Sequence, residues 1–229
     1  MHGKKKNLVI KEGILTNEGF WWLVGYLQGD GNVDERNGIW LVSTDLQPLR
    51  CAEEIIRNLF ALGSSLYVER RKFPWRHKPK LKLAVFSRNL VCWLHEIGLR
   101  LGEKRWNVPS LSSDLFCSHL AGLFDAEGQV LLRRNKDGKS KVAMIIIHSS
   151  NSNSLKLLAS NLKGRGVRCT LLKRVRRNRP NPHYELRLSR RFGLVWFAEN
   201  VIRHSRLDRK KMLLSSEYLP RQTISGTRV

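Results

Sequence analysis

Two stretches decide the fold: Leu23–Gly31, which reads LVGYLQGDG, and Leu120–Gly128, which reads LAGLFDAEG, 97 residues further on. Around them Phe20, Leu23 and Leu27, and likewise Phe116, Leu120 and Phe124, recur at three- and four-residue steps, so each stretch is predicted to end a helix with one core-facing stripe. The opposite face is small in both copies. Gly25 and Gly29 make a narrow ridge in the first, and Ser118, Gly122 and Ala126 in the second. Small residues at this period let two backbones approach closely, as in membrane helix pairs, although these helices are too short and polar to span lipid. The two helices are therefore expected to pack against each other.

That packing would bring together their C-terminal ends, which carry Asp30 and Glu127. A carboxylate there sits at the negative pole of the helix dipole and beside a like charge. Asp-Gly and Glu-Gly are also ordinary helix stops, with Gly31 and Gly128 as left-handed caps. Both copies end in the same register, however, and a divalent cation would neutralise the clustered charge. Mg²⁺ is the expected ion, because it is hard, binds through one or two carboxylates and takes substrate phosphates as further ligands. Mn²⁺ or Ca²⁺ would replace it in binding. Asp30 and Glu127, with the adjoining Gly29 and Ala126, form the expected metal site.

The repeat extends outward. SRNL at Ser87–Leu90 returns as SRRF at Ser189–Phe192, and RLGEKR at Arg100–Arg105 returns as RLDRKK at Arg206–Lys211. In the first half a helix is predicted over Asn17–Gly29, strands over Asn32–Arg36 and Gly38–Ser43, a helix over Asp45–Leu62, strands over Ser65–Phe73 and Lys80–Phe86, and a helix from Arg88. In the second half, helices are predicted over Ser113–Ala126, Asn153–Lys163 and Arg191–His204. Its strands fall over Gln129–Asn135, Ser140–His148, Val167–Arg176 and His183–Leu188. The expected fold class is α+β, two pseudo-symmetric αββαββα repeats, each with a four-stranded antiparallel sheet, packed through the two motif helices. The expected organisation is a tail at 1–15, repeats at 16–98 and 113–215, a linker at 99–112 and a second tail at 216–229.

The 229 residues carry a net charge of +23, and a self-repelling excess of this size argues for a polyanionic partner and against an enzyme of small neutral metabolites. Hydrophobic residues at 41% are ample for a core, so the basicity is not that of a disordered tail. The charge lies on the predicted strands. Seven Lys/Arg face one acid, Glu69, between Ser64 and Lys82, and eleven face one acid, Glu185, between Lys163 and Arg191. Alternation along a strand would project Lys80 with Lys82, Lys139 with Lys141, and Arg174 with Arg176. A basic strand ribbon is a known reader of the DNA major groove. Arg36, Arg70, Lys72, Arg133 and Arg187 join these as candidate nucleic-acid contacts, and the loops at Pro74–Pro79 and Arg176–Pro182 are read as reaching the phosphate backbone.

Cys51, Cys92, Cys117 and Cys169 form no CxxC pair and are read as reduced core residues. The seven histidines show no HxxxH or HNH-like grouping, which argues against a histidine-metal nuclease. Trp21 and Trp22 are expected in the core and at the helix interface. Trp40, Tyr67 and Trp75 fall in the strand region. No apolar run nears the ~20 residues of a bilayer span, and the basic start lacks the apolar stretch of a signal peptide. A soluble intracellular protein is expected, with no membrane and no small-molecule cofactor; it would be cytoplasmic in a prokaryote or archaeon and organellar in a eukaryote.

LVGYLQGDG and LAGLFDAEG resemble the two signature segments of the LAGLIDADG homing endonucleases, in the single-chain form that carries both. The second matches closely; the first departs at Val24, Tyr26, Gln28 and Gly29 but keeps Gly25, Asp30 and Gly31. The resemblance implies a monomeric, intron-encoded, Mg²⁺-dependent enzyme whose paired helices join two half-domains and whose sheets form a saddle on double-stranded DNA. It implies that Asp30 and Glu127 bind metal beside the two scissile phosphates, and that both strands are cut to leave short 3′ overhangs. A basic residue near the end of each half is implied too: Lys104 and Lys210 occupy equivalent places in RLGEKR and RLDRKK, with Arg100 and Arg206 as the fallback. Thr44 and Ser150, ending the second strand of each half, would lie near the metal. Strands of six to eight residues at ~3.3 Å each give a footprint on the order of 20 base pairs. An RNA maturase or a non-cleaving DNA-binding regulator on the same scaffold would show the same basic saddle. A ribosomal or other structural RNA-binding protein would explain the charge but not the paired motifs.

Overall fold

The Asn17 side chain accepts a hydrogen bond from the Phe20 amide at 3.0 Å, and this cap, with Glu18 in the first turn, starts the helix α1 at Glu18–Asp30. The computed structural model describes residues 8–34, 37–69, 79–99, 110–134, 138, 140–176, 179–215 and 219, and the side chains among them except those of 176 and 179–182. After α1 come strands β1 (Gly31–Val33) and β2 (Gly38–Ser43), helix α2 (Leu46–Phe60), strands β3 (Ser65–Glu69) and β4 (Lys80–Phe86), and helix α3 (Arg88–Glu96). The order then repeats: α4 (Ser113–Glu127), β5 (Gly128–Arg134), β6 (Ser140–Ser149), α5 (Ser152–Gly164), β7 (Thr170–Arg176), β8 (Arg179–Leu188) and α6 (Arg191–Asn200). A 3-10 turn at Ile202–His204 and the short helix α7 (Asp208–Leu213) follow.

Each repeat builds one four-stranded antiparallel sheet, in the orders β1-β2-β4-β3 and β5-β6-β8-β7. The fold is α+β as the sequence predicts. Alternation decides which face is dry: Ile39, Leu41, Leu83 and Val85 point inward in the first sheet, and Ile145, Ile147, Leu186 and Leu188 in the second. The helices cover those faces. Phe20 meets the rings of Phe60 and Trp93 edge-on or tilted at 6.3 and 5.8 Å, and Phe124 meets Phe197 at 5.0 Å. Among the described residues no helix is long and apolar enough to cross a membrane.

Three expectations need correction. The helix predicted over Arg191–His204 stops at Asn200, because the chain tightens into the 3-10 turn and then extends so that Ser205 reaches across to α4. The loop predicted around Pro180–Pro182 is strand: β8 begins at Arg179, but β6 pairs with it only from Tyr184 onward. The two prolines therefore lie beyond that ladder, where a missing amide hydrogen costs no bond to it. Of the cysteines only Cys117 is buried; Cys92 is exposed, and Cys51 and Cys169 are half-buried. The segment before α1 is anchored: Ile14 is buried, and the Leu15 carbonyl accepts from the Trp21 indole at 2.7 Å.

Candidate functional site

The two motif helices run the same way and touch along their length. A Cβ placed on Gly25 would lie 1.9 Å from the His119 carbonyl oxygen, and one on Gly122 would lie 1.9 Å from the Trp22 carbonyl oxygen. No side chain fits at either position, which is why the small ridge is glycine where the backbones cross. Further along, a Cβ on Gly29 would lie 2.4 Å from Ala126 Cβ and 3.2 Å from Glu127 Cγ. Gly29 and Ala126 are thus the contact that sets the two helix ends, and with them Asp30 and Glu127, side by side.

Gly31 and Gly128 are not left-handed caps. Their φ angles are −86° and −87°, in extended backbone. Each is glycine for space: a Cβ on Gly31 would lie 2.2 Å from the Leu27 carbonyl, and one on Gly128 would lie 2.1 Å from the Phe124 ring. The chain leaves each helix directly into the first strand of its sheet, with no connecting loop.

Lys210 is brought to the acid pair. It is 3% exposed and donates to the carbonyls of Phe124 and Asp125, at the negative end of α4, with its ammonium 4.7 Å from the Phe124 ring centre. Burial pushes its pKa down to about 8, against the pull of the carboxylates of Asp125, Asp30 and Glu127. One ammonium therefore feels all three acids. Lys104 and Arg100 lie outside the described residues. Arg206 serves the interface instead, its guanidinium 5.3 Å from the Trp22 ring centre. Tyr26 adds a hydroxyl: burial first and the Asp30 charge second hold it well above the ordinary phenol range, and it bonds Ser43. At the ends of β2 and β6 it is Ser43 and Ser149, one residue before Thr44 and Ser150, that accept the backbone amides of Asp45 and Asn151, both at 3.0 Å.

Sequence reasoning missed a buried polar lattice across this interface. Asp125 Oδ2 accepts from Trp22 Nε1 at 2.9 Å and from the Arg206 amide at 2.7 Å, while Oδ1 accepts from Ser205 Oγ at 2.6 Å. Burial raises the Asp125 pKa, and the three donors oppose that. In the pseudo-symmetric position His119 Nε2 lies 2.7 Å from Gln28 Oε1, and its Nδ1 has no partner among the described residues. Burial alone lowers the His119 pKa to about 4. The signal was present in the repeat: Trp22 aligns with His119, and Gln28 with Asp125.

The basic candidates divide. Lys80, Lys82, Arg133, Lys141, Arg174 and Arg187 stand on the outward faces of the two sheets, opposite the buried rows. The lone acids of the basic stretches lie among them, with Glu69 Oε2 3.1 Å from Lys82 Nζ and Glu185 paired to Arg174 and Arg187. Arg36, Arg70, Lys72, Lys139, Trp75 and the side chain of Arg176 lie outside the described residues. Trp40 packs with Tyr67 and Phe86 at 5.9 and 5.6 Å on the first sheet's outer face, tied by its indole to Asp34 at 2.9 Å.

No family model matches the chain. It is 26% identical over 167 residues to the uncharacterized protein MJ0314 of Methanocaldococcus jannaschii, covering 71% of this chain and 61% of that protein, so it spans less than two thirds of this relative's length. Among solved structures it is similar to variants of the homing endonuclease I-DmoI, with TM-score 0.57 and 18% identity over 89% of this chain and 98% of that one. It is similar also to the homing endonuclease I-WcaI bound to its DNA recognition sequence, with TM-score 0.59 and 13% identity over 87% of each chain. Full-length DUF199/WhiA from Thermatoga maritima gives TM-score 0.59 and 16% identity over 94% of this chain and 65% of that one. I-DmoI has been solved with DNA and Ca, and with DNA and Mn. At these identities the likeness is one of fold: a LAGLIDADG-type scaffold found in homing endonucleases and in WhiA.

Proposed function

We propose that the protein is a site-specific double-strand DNA endonuclease of the homing type, hydrolysing one phosphodiester on each strand and leaving short 3′ overhangs. The observation that supports the proposal is the abutting pair of helix ends at Gly29 and Ala126, whose next residues, Asp30 and Glu127, both act on the buried Lys210 ammonium. A protein that only binds nucleic acid gains nothing from two acids facing a phosphodiester. The scaffold shared with WhiA is open to a non-cleaving DNA binder or a maturase; the retained acids favour the nuclease.

Two oxygen-donor side chains next to each other suit a hard divalent cation, so Asp30 and Glu127, with Gly29 and Ala126 adjoining, are the residues that would hold Mg²⁺. Bound there, Mg²⁺ would supply charge neutralisation at the scissile phosphate and a more acidic water. The chain's own part is placement. Residues 16–98 and 113–215 act as the two repeats, joined by 99–112, and each sheet tracks half of a duplex site on the order of 20 base pairs. Lys80, Lys82, Arg133, Lys141, Arg174 and Arg187, with Arg36, Arg70, Lys72, Lys139 and Arg176, hold the backbone and give binding a steep salt dependence. Lys210 fixes the end of α4 and presents positive charge to the phosphate, as Lys104 would in the first half.

Cleavage of a random duplex pool, with Mg²⁺ and with EDTA, tests this reading. Asp30→Asn and Glu127→Gln should each abolish double-strand cutting while a gel-shift still detects DNA binding. Cutting that persists in EDTA would remove the metal from the reaction, and binding lost with either variant would assign the acids to folding.

A further inference from the structure

The second sheet carries a cluster that the endonuclease reading does not use. Glu185 on β8 is the direct cross-strand partner of His148 on β6, and His183 stands two residues before Glu185, so all three share the outward face. One nitrogen from each imidazole and one carboxylate oxygen of Glu185 lie within 4.8 Å of one another. Behind them Ile145, Ile147, Leu186 and Leu188 are fully buried, so the strand positions that carry the cluster are fixed.

The surrounding bonds set the chemistry of each group. His148 Nε2 faces Gln129 Oε1 at 3.2 Å; an amide oxygen only accepts, so Nε2 carries the hydrogen and Nδ1 carries a lone pair. That lone pair faces His183 Nε2 at 2.8 Å, with the two rings stacked at 4.9 Å between centres. The guanidinium groups of Arg174 and Arg187 both hold Glu185 through Oε2, leaving Oε1 unengaged by them. Outer partners that fix an imidazole tautomer and steady a carboxylate are what metal ligands need.

We infer that His148, His183 and Glu185 form a binding site for a borderline divalent cation such as Zn²⁺, distinct from the Asp30 and Glu127 pair. Two nitrogens and one oxygen suit Zn²⁺, whereas Mg²⁺ takes oxygen. Two Zn–N bonds of ~2.0–2.1 Å at a tetrahedral centre separate the nitrogens by about 3.3 Å, so the imidazoles need open by only about half an ångström. Entry of the ion displaces the one proton that bridges the rings from His183 Nε2, and the His183 ring takes it up at Nδ1 by way of solvent, so both imidazoles bind as neutral ligands. A fourth position is left facing outward.

The test uses the full chain without a histidine tag and without DNA, in excess Mg²⁺, so its result stands whether or not the protein cuts. Co²⁺ should bind with one equivalent, show visible bands of nitrogen and oxygen ligation, and be displaced by Zn²⁺. Zn²⁺ affinity should fall at least ~100-fold in His183→Ala and His148→Ala and stay unchanged in Asp30→Asn/Glu127→Gln. His183→Gln, which keeps a polar side chain, serves if the alanine variant does not fold. Equal affinity in the histidine variants, a thiolate-to-cobalt band from the cysteines, or a loss confined to the Asp30/Glu127 variant would each overturn the site.

Discussion

Trp22 Nε1 donates to Asp125 Oδ2 at 2.9 Å, a bond between residues 103 apart that ties the first motif helix to the second. Its pseudo-symmetric counterpart joins His119 to Gln28, so the two helices are clasped by a polar bond on each side of the glycine crossing. The two clasps are chemically unequal. One ends in a carboxylate that accepts from three donors, the other in a neutral amide.

That inequality predicts where the interface is most sensitive. Asp125→Ala strands the Trp22 indole, the Ser205 hydroxyl and the Arg206 amide in a buried site, and should cost about 2–5 kcal/mol. Trp22→Phe removes one donor of three and should cost clearly less. Urea unfolding of the two variants checks the order; a costlier Trp22→Phe would mean that ring packing dominates.

The glycine crossing predicts a contrast within one substitution type. Gly122→Ala sets a methyl 1.9 Å from the Trp22 carbonyl and should lose about 3 kcal/mol or more, because backbone cannot yield as a side chain does. Gly164→Ala, at the end of α5 with nothing within 4 Å, should gain a few tenths up to ~1 kcal/mol. At this chain length each kcal/mol moves Tm by about 2–4 °C, so calorimetry resolves the opposite signs.

His119 predicts a pH dependence of stability. Its folded pKa, about 4, lies below the unfolded value of 6.5, so the unfolded chain binds the proton first. The stability this group allows is fully present above pH 6.5 and is lost as pH falls towards 4, on the order of 3 kcal/mol in all. His119→Gln should flatten the unfolding free energy across that window; an unchanged slope would place the titration elsewhere.

Lys210 predicts a second window. Its pKa of about 8 lies below the 10.5 of the unfolded chain, so stability should rise from pH 8 to 10.5, and Lys210→Met should abolish that rise. In the cleavage assay the wild-type rate should fall above pH 8 as the ammonium discharges. Lys210→Met should cut at least ~10²-fold more slowly throughout, read as single-turnover rates. A variant with the wild-type rate would confine the lysine to capping α4.

The helix pair was legible because small residues four apart leave a periodic mark. Strands β2 and β4 were legible to the residue from alternation against buried Ile39, Leu41, Leu83 and Val85. The repeat RLxxK pointed to Lys210, but not to its burial, which depends on α7 folding back over the end of α4. Gly31 and Gly128 were open to two readings, because a glycine after a helix signals either a left-handed cap or simple lack of room, and only the packing of Leu27 and Phe124 tells these apart. His148, His183 and Glu185 escaped a search for local histidine spacing, since their proximity is created by the register of β6 against β8.

The direct passage of α1 into β1 and of α4 into β5 makes each helix and its sheet a single stiff arm, with the glycine crossing as the fulcrum. A change of a few degrees in the angle between α1 and α4 is then magnified towards the outer strands, where the span available to a ligand is set. Because no side chain fits at that pivot, the two glycines hold the angle between the arms and, with it, the distance between the outer strands.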